Sequence, residues 1–194
     1  MAPDDQTLIA RCRADDREAF KELVQRYQKR VYGIAVGMLH SPEDAMDVTQ
    51  EVFIKVHMYM GRFKGTSSFY TWLYRIAVNL CIDHLRRESK LQKVDYDDTI
   101  VQREEVGEFL AGAQALSPLR SLDQQELSNR IQRALQGLSP NHRAVLLMRE
   151  VEGLSYAQMA EIMQCSLGTI MSRLFHARRR MQEALLAEQE QEEA

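Results

Sequence analysis

Residues 62–75 read Arg62-Phe63-Lys64-Gly65-Thr66-Ser67-Ser68-Phe69-Tyr70-Thr71-Trp72-Leu73-Tyr74-Arg75. Phe63, Phe69, Tyr70, Trp72 and Tyr74 are interleaved with Arg62, Lys64 and Arg75 around a loop of Gly, Ser and Thr. Aromatic faces stack on unpaired bases and cations hold the phosphate strand, which is how single-stranded nucleic acid is bound. Capture of an unstacked base lets binding drive strand opening without ATP. Trp72 lies one helical turn from Ile76 and is read mainly as core, as Phe69 also can be. Phe63, Lys64 and Ser67 are the stronger strand contacts.

A second chemistry is written near the C-terminus. Residues 154–176 run Leu-Ser-Tyr-Ala-Gln-Met-Ala-Glu-Ile-Met-Gln-Cys-Ser-Leu-Gly-Thr-Ile-Met-Ser-Arg-Leu-Phe-His. This is a helix-turn-helix pattern. Tyr156, Met159, Ala160 and Met163 line the first helix, and Ala160 is small where the second must cross. Gln164 stands where such turns usually carry glycine. The second helix buries Ile170 and Leu174 and turns Thr169, Ser172, Arg173 and His176 outward, as major-groove reading requires. Arg178-Arg179-Arg180 follow, suited to phosphates. The alternative is an ordinary αα-hairpin with a solvated face.

Helical elements must position both groups. Asp15-Asp16-Arg17-Glu18 and Ser155-Tyr156-Ala157-Gln158 fit capping boxes. Ser41-Pro42 and Ser139-Pro140 place a cap before a first-turn proline, and Ser121 and Ser166 are further caps. Phe20, Leu23, Val24, Tyr27, Val31, Ala35 and Met38 make one stripe at helical spacing, and Val48, Val52, Phe53, Val56 and Tyr59 another. Trp72, Leu73, Ile76, Ala77, Leu80 and Leu85 make a third. The expected helices lie near 5–14, 16–39, 42–60 and 68–89, then near 123–137, 140–151, 155–163 and 167–187. The fold class is all-α: two small helical domains, 5–89 and 121–187, joined by a flexible acidic linker at 90–120 and followed by an acidic tail at 188–194.

The bulk numbers agree. The scarcity of Gly (9) and Pro (4) in 194 residues argues against a many-turned β-sandwich or barrel. The net charge of −3 argues alone against nucleic-acid binding, but the charge is unevenly spread. Basic residues gather at 75–93 and 173–180, acidic ones at 95–108 and 188–193. Cys12, Cys81 and Cys165 form no CxxC pattern, and their odd number suits a reducing compartment. No signal-peptide core or membrane-length apolar run is visible, so a cytoplasmic location is expected.

Asp44-Ala45-Met46-Asp47-Val48-Thr49-Gln50-Glu51-Val52-Phe53, then Gly61 through Asn79, then Gly153-Leu154-Ser155-Tyr156 with Gly168 through Arg173, occur in that order. Together they resemble bacterial sigma factors of the sigma-70 family, most closely the extracytoplasmic-function group, which keeps only the second and fourth conserved regions. The resemblance covers about residues 5–89 and 121–187. It implies a non-enzymatic protein without cofactor or metal that binds core RNA polymerase through the β′ clamp helices and β flap and directs promoter-specific initiation, in a stress, envelope or developmental response. It implies polymerase contacts at Asp44, Asp47, Gln50, Glu51 and Ile54. Minus-ten DNA would meet Arg62, Phe63, Lys64, Ser67, Phe69, Tyr70, Arg75, Asn79 and Arg86. Minus-thirty-five DNA would meet Ser166, Thr169, Met171, Ser172, Arg173, Phe175, His176, Arg178 and Arg179. Relatives often carry arginine at Met171 and His176, so the upstream element should depend less on guanine. The resemblance further implies an anti-sigma partner, often membrane-tethered. It also implies a linker whose Asp95, Asp97, Asp98, Glu104 and Glu105 face the RNA path.

Two other readings were open on the residues alone. One is a stand-alone helix-turn-helix regulator with 5–89 as sensor, which leaves the 63–72 loop without a purpose. The other is a metal or redox enzyme, for which Cys81 and His84, one helical turn apart, would be half a site lacking a second pair. No P-loop or Rossmann glycine signature is present.

Overall fold

The computed structural model describes residues 3–94 and 122–192, with side chains at 3–88 and 126–187. The helices are α1 (Asp5–Arg13), α2 (Arg17–Leu39), α3 (Pro42–Tyr59), α4 (Phe69–Val94), α5 (Leu122–Gln136), α6 (Pro140–Glu150), α7 (Tyr156–Met163) and α8 (Leu167–Glu192), with a 3₁₀ turn at Met60–Arg62. Among the described residues there is no strand. No helix of theirs is long and apolar enough to cross a membrane. The linker expected at 90–120 begins later than its composition suggested, because α4 continues to Val94. Residues 95–121, with the Asp95–Glu105 run and the Ser121 cap, lie outside the described residues. Residues 188–192 of the expected acidic tail continue α8.

The starts of the helices follow their caps. Ser41 Oγ accepts from the Asp44 amide, and Pro42 opens α3 where its missing N–H costs nothing. At α2 the cap is Asp16, one residue later than the expected box, and it accepts from the Glu18 and Ala19 amides. Asp15 instead takes a positive φ of 63° to reverse the chain after α1. Ser139 precedes Pro140 but makes no capping bond; its hydroxyl lies 2.8 Å from His142 Nδ1.

Helix α2 buries Ala19, Leu23, Tyr27, Val31, Ala35 and Met38 against α3 and α4, which bring Val52, Val56, Leu73 and Ala77. Truncating one of the larger of these to alanine costs about 2–5 kcal/mol. The apolar cluster does not stop there. It runs on through Leu147, Met159, Ile162, Ile170 and Leu174, so the two helical groups share a continuous core. Two features permit that approach. Gly37 of α2 faces Leu147, where a Cβ would sit 3.0 Å from Leu147 Cδ1. Arg143 of α6 is buried, and its guanidinium donates to the carbonyls of Leu135, Gln136 and Leu138 at the end of α5 and to that of Met38 in α2. A cation at helix C-termini meets the negative ends of their dipoles.

Candidate nucleic-acid interface

The loop between the 3₁₀ turn and α4 is held from beneath. Phe63 is 7% exposed, with its ring centroid 5.0 Å from Trp72 and 6.0 Å from Phe69. Arg13 donates to the Phe63 carbonyl. Ser68 caps α4, accepting from the Thr71 amide at 3.0 Å. Phe63, expected to face a DNA strand, therefore sits in the core, because stacking on Phe69 and Trp72 removes more apolar surface from water than a place on the loop rim. Trp72 is half-buried and Phe69 buried, in line with their reading as core. The loop presents Arg62, Lys64, Gly65, Thr66 and Ser68 to solvent, with Ser67 half-buried among them. Gly65 adopts φ 72°, which a side chain would resist.

Asn79 and Arg86 are exposed, and Arg86 lies 3.7 Å from Asp83. Tyr70 is half-buried between the Arg30 guanidinium, 5.1 Å from its ring centre, and Tyr74, 4.3 Å from it. Burial and the Glu152 carboxylate push the Tyr70 hydroxyl up to about 12, so it stays a donor at any working pH. It donates to Glu152 at 2.8 Å. Arg75 reaches Glu161 of α7 at 3.4 Å.

The helix-turn-helix is formed by α7 and α8. Ser155 and Gln158 complete a reciprocal capping box at the start of α7. Gln164 takes the left-handed conformation, φ 51° and ψ 47°, that glycine would occupy at lower cost, and the Cys165 amide closes the turn on the Ala160 carbonyl. Ser166 caps α8 through the Thr169 amide at 3.1 Å. Ile170, Leu174 and Ala177 anchor α8. On the opposite side stand Met171, Ser172, Phe175 and His176, all exposed, with Met171 51% and Phe175 63% open to solvent. Thr169 and Arg173 are half-buried at the edge of this face, and Arg173 lies 3.9 Å from Cys165 Sγ. Arg178 is paired with Glu150 at 2.6 Å and Arg179 with Glu183 at 2.8 Å. Both pairs are solvent-exposed and weakly held, so a phosphate can displace them.

A third surface lies on α3. Met46, Asp47, Gln50, Ile54 and Met58 are exposed along one side. Phe20, Val24, Gln50, Phe53, Ile54 and Met58 line a groove of about 520 Å³ between α2 and α3. Glu51 is occupied by Lys55 at 3.3 Å. The sequence reading found the polar members and Ile54 but missed the methionines. Their signal was there: 46, 50, 54 and 58 are spaced by four and share a helix face. Asp44 turns from this face toward α4, where its carboxylate lies 3.5 Å from His84 Nε2. Asp44, His84 and Glu88 bring their donor atoms within 4.8 Å of one another, a half-buried set able to hold a cation. Cys81, paired with His84 by spacing, is fully buried and outside that set; burial raises its thiol to about 12.

Comparison with known proteins follows the same division. The Sigma-70 region 2 family profile matches residues 23–91, and that of Sigma-70, region 4 matches 128–181. The chain is 40% identical over 185 residues to the RNA polymerase sigma-H factor of Pseudomonas aeruginosa, spanning 93% of each. It is 37% identical over 177 residues to the ECF RNA polymerase sigma-E factor of Escherichia coli K12, spanning 90% of each. Among solved structures, it superposes on the sigma factor RpoE of Bartonella quintana in complex with the anti-sigma factor NepR, with a TM-score of 0.66 and 25% identity over 86% of this chain and 96% of that one. CnrH in complex with the cytosolic domain of CnrY shares the fold, with a TM-score of 0.67 and 22% identity over 94% and 97% of the two chains.

Proposed function

The chain belongs to the sigma-70 family as a sigma factor of the extracytoplasmic-function type, and from that premise we propose how its three surfaces divide the work of transcription initiation. It is an initiation factor and not an enzyme, so each surface has only to bind.

The exposed side of α3, with Asp47, Gln50 and Ile54 beside the apolar groove, docks on the β′ clamp helices of core RNA polymerase. A mixed face of this kind fits a helical partner, with apolar anchors in the groove and polar groups at the rim. Asp44 and Glu51 act at the margin of that face. Arg62, Lys64 and Ser67 hold the minus-ten strand at the 63–68 loop, with Phe63, Phe69 and Trp72 as the rigid floor. Tyr70, Arg75, Asn79 and Arg86 carry the strand along α4. Helix α8 enters the major groove of the minus-thirty-five element. Ser172 and Arg173 read base edges, Met171 and Phe175 offer apolar contact to thymine methyls, and Ser166, Thr169, Arg178 and Arg179 hold phosphates. His176 stands where relatives often place arginine, favouring a less G-dependent element.

The observation that carries this reading is the outward row Met171, Ser172, Phe175 and His176 on a helix whose opposite side is anchored in the core. A merely structural hairpin gives no reason for Met171 and Phe175 to stand in water together, one turn before the Arg178-Arg179-Arg180 run of the same helix.

The partners are core polymerase and promoter DNA in the cytoplasm, and a protein antagonist that covers the polymerase-facing surfaces until an envelope or stress signal releases them. In support, the sigma factor RpoE of Bartonella quintana is solved in complex with the anti-sigma factor NepR.

Multi-round transcription on a promoter library, with core polymerase and with or without this chain, tests the reading. Transcripts that depend on the chain and start downstream of two spaced elements support it. Specific duplex binding by the chain alone, with no polymerase-dependent transcript, overturns it.

A further inference from the structure

Helix α3 packs on α4. Asp44 stands in the first turn of α3, where the Ser41 hydroxyl holds its amide at 3.2 Å. His84 and Glu88 stand four residues apart on α4, so both side chains leave the same helix face. The helices that carry them are fixed by the core: Ala45 and Val48 of α3 are buried, as are Leu80 and Cys81 of α4. Donor atoms of Asp44, His84 and Glu88 lie within 4.8 Å of one another. Nε2 of His84 lies 3.5 Å from Asp44 Oδ1, yet it is buried and has no hydrogen-bond partner. A buried ring nitrogen is normally paired. An ordinary ion pair would serve it with one well-aligned carboxylate. Here two carboxylates come near the ring, and Nε2 is hydrogen-bonded to neither.

We propose that Asp44, His84 and Glu88 form a binding site for a divalent transition-metal cation of the zinc class, which ties the start of α3 to α4. Ligand atoms of one such ion stand about 2.0–2.2 Å from it, and so roughly 3–3.5 Å from each other. The 3.5 Å between His84 Nε2 and Asp44 Oδ1 falls at the top of that range, whereas it is long for a hydrogen bond. A small rotation of the half-buried Glu88 side chain brings the third ligand in. The donor set decides the cation. One imidazole nitrogen with two carboxylates suits zinc and its first-row neighbours. Magnesium and calcium take shells of oxygen with more ligands, and the imidazole counts against both. Three protein ligands leave a coordination position for water. The Asp44 and His84 side chains are 35% and 29% exposed, which leaves an entry path for the ion. Because the ligands come from two helices, the ion binds the folded chain in preference to the unfolded one and stabilises their crossing. His84 and Glu88 have no part in the polymerase or DNA assignments, so the site stands whether or not those hold.

Zinc titration of the full, tag-free chain tests this, after metal has been stripped by a chelator and the chelator dialysed away. Calorimetry should find about one zinc per chain, and the melting temperature should rise by roughly 5–10 °C when free zinc is about a hundredfold above Kd. Magnesium at the same concentration should move neither. Cobalt(II) reads the ligands: visible bands of an ion held by nitrogen and oxygen are expected, without a thiolate-to-metal band in the near ultraviolet. His84→Asn and, separately, Glu88→Gln should each lower zinc affinity by about tenfold or more. Cys12→Ser with Cys165→Ser should keep the wild-type affinity, since these half-buried thiols lie outside the set. Zinc affinity unchanged in both His84→Asn and Glu88→Gln overturns the site. So does a thiolate band that disappears in the cysteine variant, or an equal response to magnesium, which would reduce the set to a carboxylate surface. Saturation reached only at millimolar free zinc overturns it as well. Where His84→Asn does not fold, Glu88→Gln alone decides: unchanged affinity there ends the proposal.

Discussion

The Tyr70 hydroxyl donates to the Glu152 carboxylate at 2.8 Å, joining residues 82 apart in sequence and on different helical groups. Tyr70 belongs to α4, and Glu152 to the turn that carries the chain from α6 toward α7. The same boundary includes Arg143, whose donors satisfy carbonyls on α5 and α2 together. A polar network of this sort fixes one packing among several that apolar contacts alone would allow.

Arg143→Leu tests that network. It leaves the carbonyls of Leu135, Gln136, Leu138 and Met38 without their donor, and a destabilisation of about 2–4 kcal/mol is expected. Chemical denaturation of the full chain measures it. A change within 0.5 kcal/mol would show that water replaces the guanidinium at roughly equal free energy.

The loop separates floor from surface. Phe63→Ala should cost about 3–5 kcal/mol by opening a void beside Phe69 and Trp72. Lys64→Ala should leave the melting temperature within a degree or so and lower the salt dependence of strand binding by roughly one ion. Permanganate footprinting of the open complex checks the second variant: undiminished promoter melting would exclude Lys64 from the strand path.

Gln164 holds a left-handed backbone at φ 51°. Gln164→Gly relieves a strain of about 1 kcal/mol and should raise stability by somewhat less, since glycine also gains freedom in the unfolded chain. Upstream DNA recognition should not change, because the turn does not face the groove. A lower melting temperature would mean that the Gln164 side chain makes a contact worth more than the strain.

Arg173→Ala should lower affinity for the upstream element by about ten- to a hundredfold, the scale of one lost base-edge contact. Transcription from templates with an intact or scrambled minus-thirty-five element is the readout. Equal loss on both templates would reassign Arg173 to a phosphate or to packing near Cys165.

Acid should weaken the fold through His40. Burial, and then the nearby Arg143 charge, lower its imidazole to about 4, and its Nε2 is buried without a hydrogen-bond partner. The unfolded chain takes up this proton near the ordinary value of 6.5, so the contribution is whole above about pH 6.5 and is lost progressively as pH falls toward 4. Between about pH 7 and about pH 5.5 the loss is about 1 kcal/mol. His40→Asn keeps a residue tolerant of the left-handed cap and removes the titration. Thermal melts at both pH values should show a smaller acid loss in the variant; identical losses would place the effect on other groups.

Much of this protein was legible before any coordinates. Stripes at three- and four-residue steps set the helices because a buried helix face requires that period, and Ser41, Ser155 and Ser166 marked starts because free first-turn amides need acceptors. The outward face of α8 followed from the same period. Other features depend on residues far apart in the chain. Phe63 looked like a rim residue in its own segment and became core only when Phe69, Trp72 and Arg13 closed over it. Asp44, His84 and Glu88 meet only because α3 crosses α4. The pairing of Tyr70 with Glu152 and of Arg75 with Glu161 has no local signature at all. Local sequence sets dihedral preference and periodicity, whereas which two distant surfaces meet depends on the shape of the whole core, and Gly37 beside Leu147 is one place where two such surfaces come close.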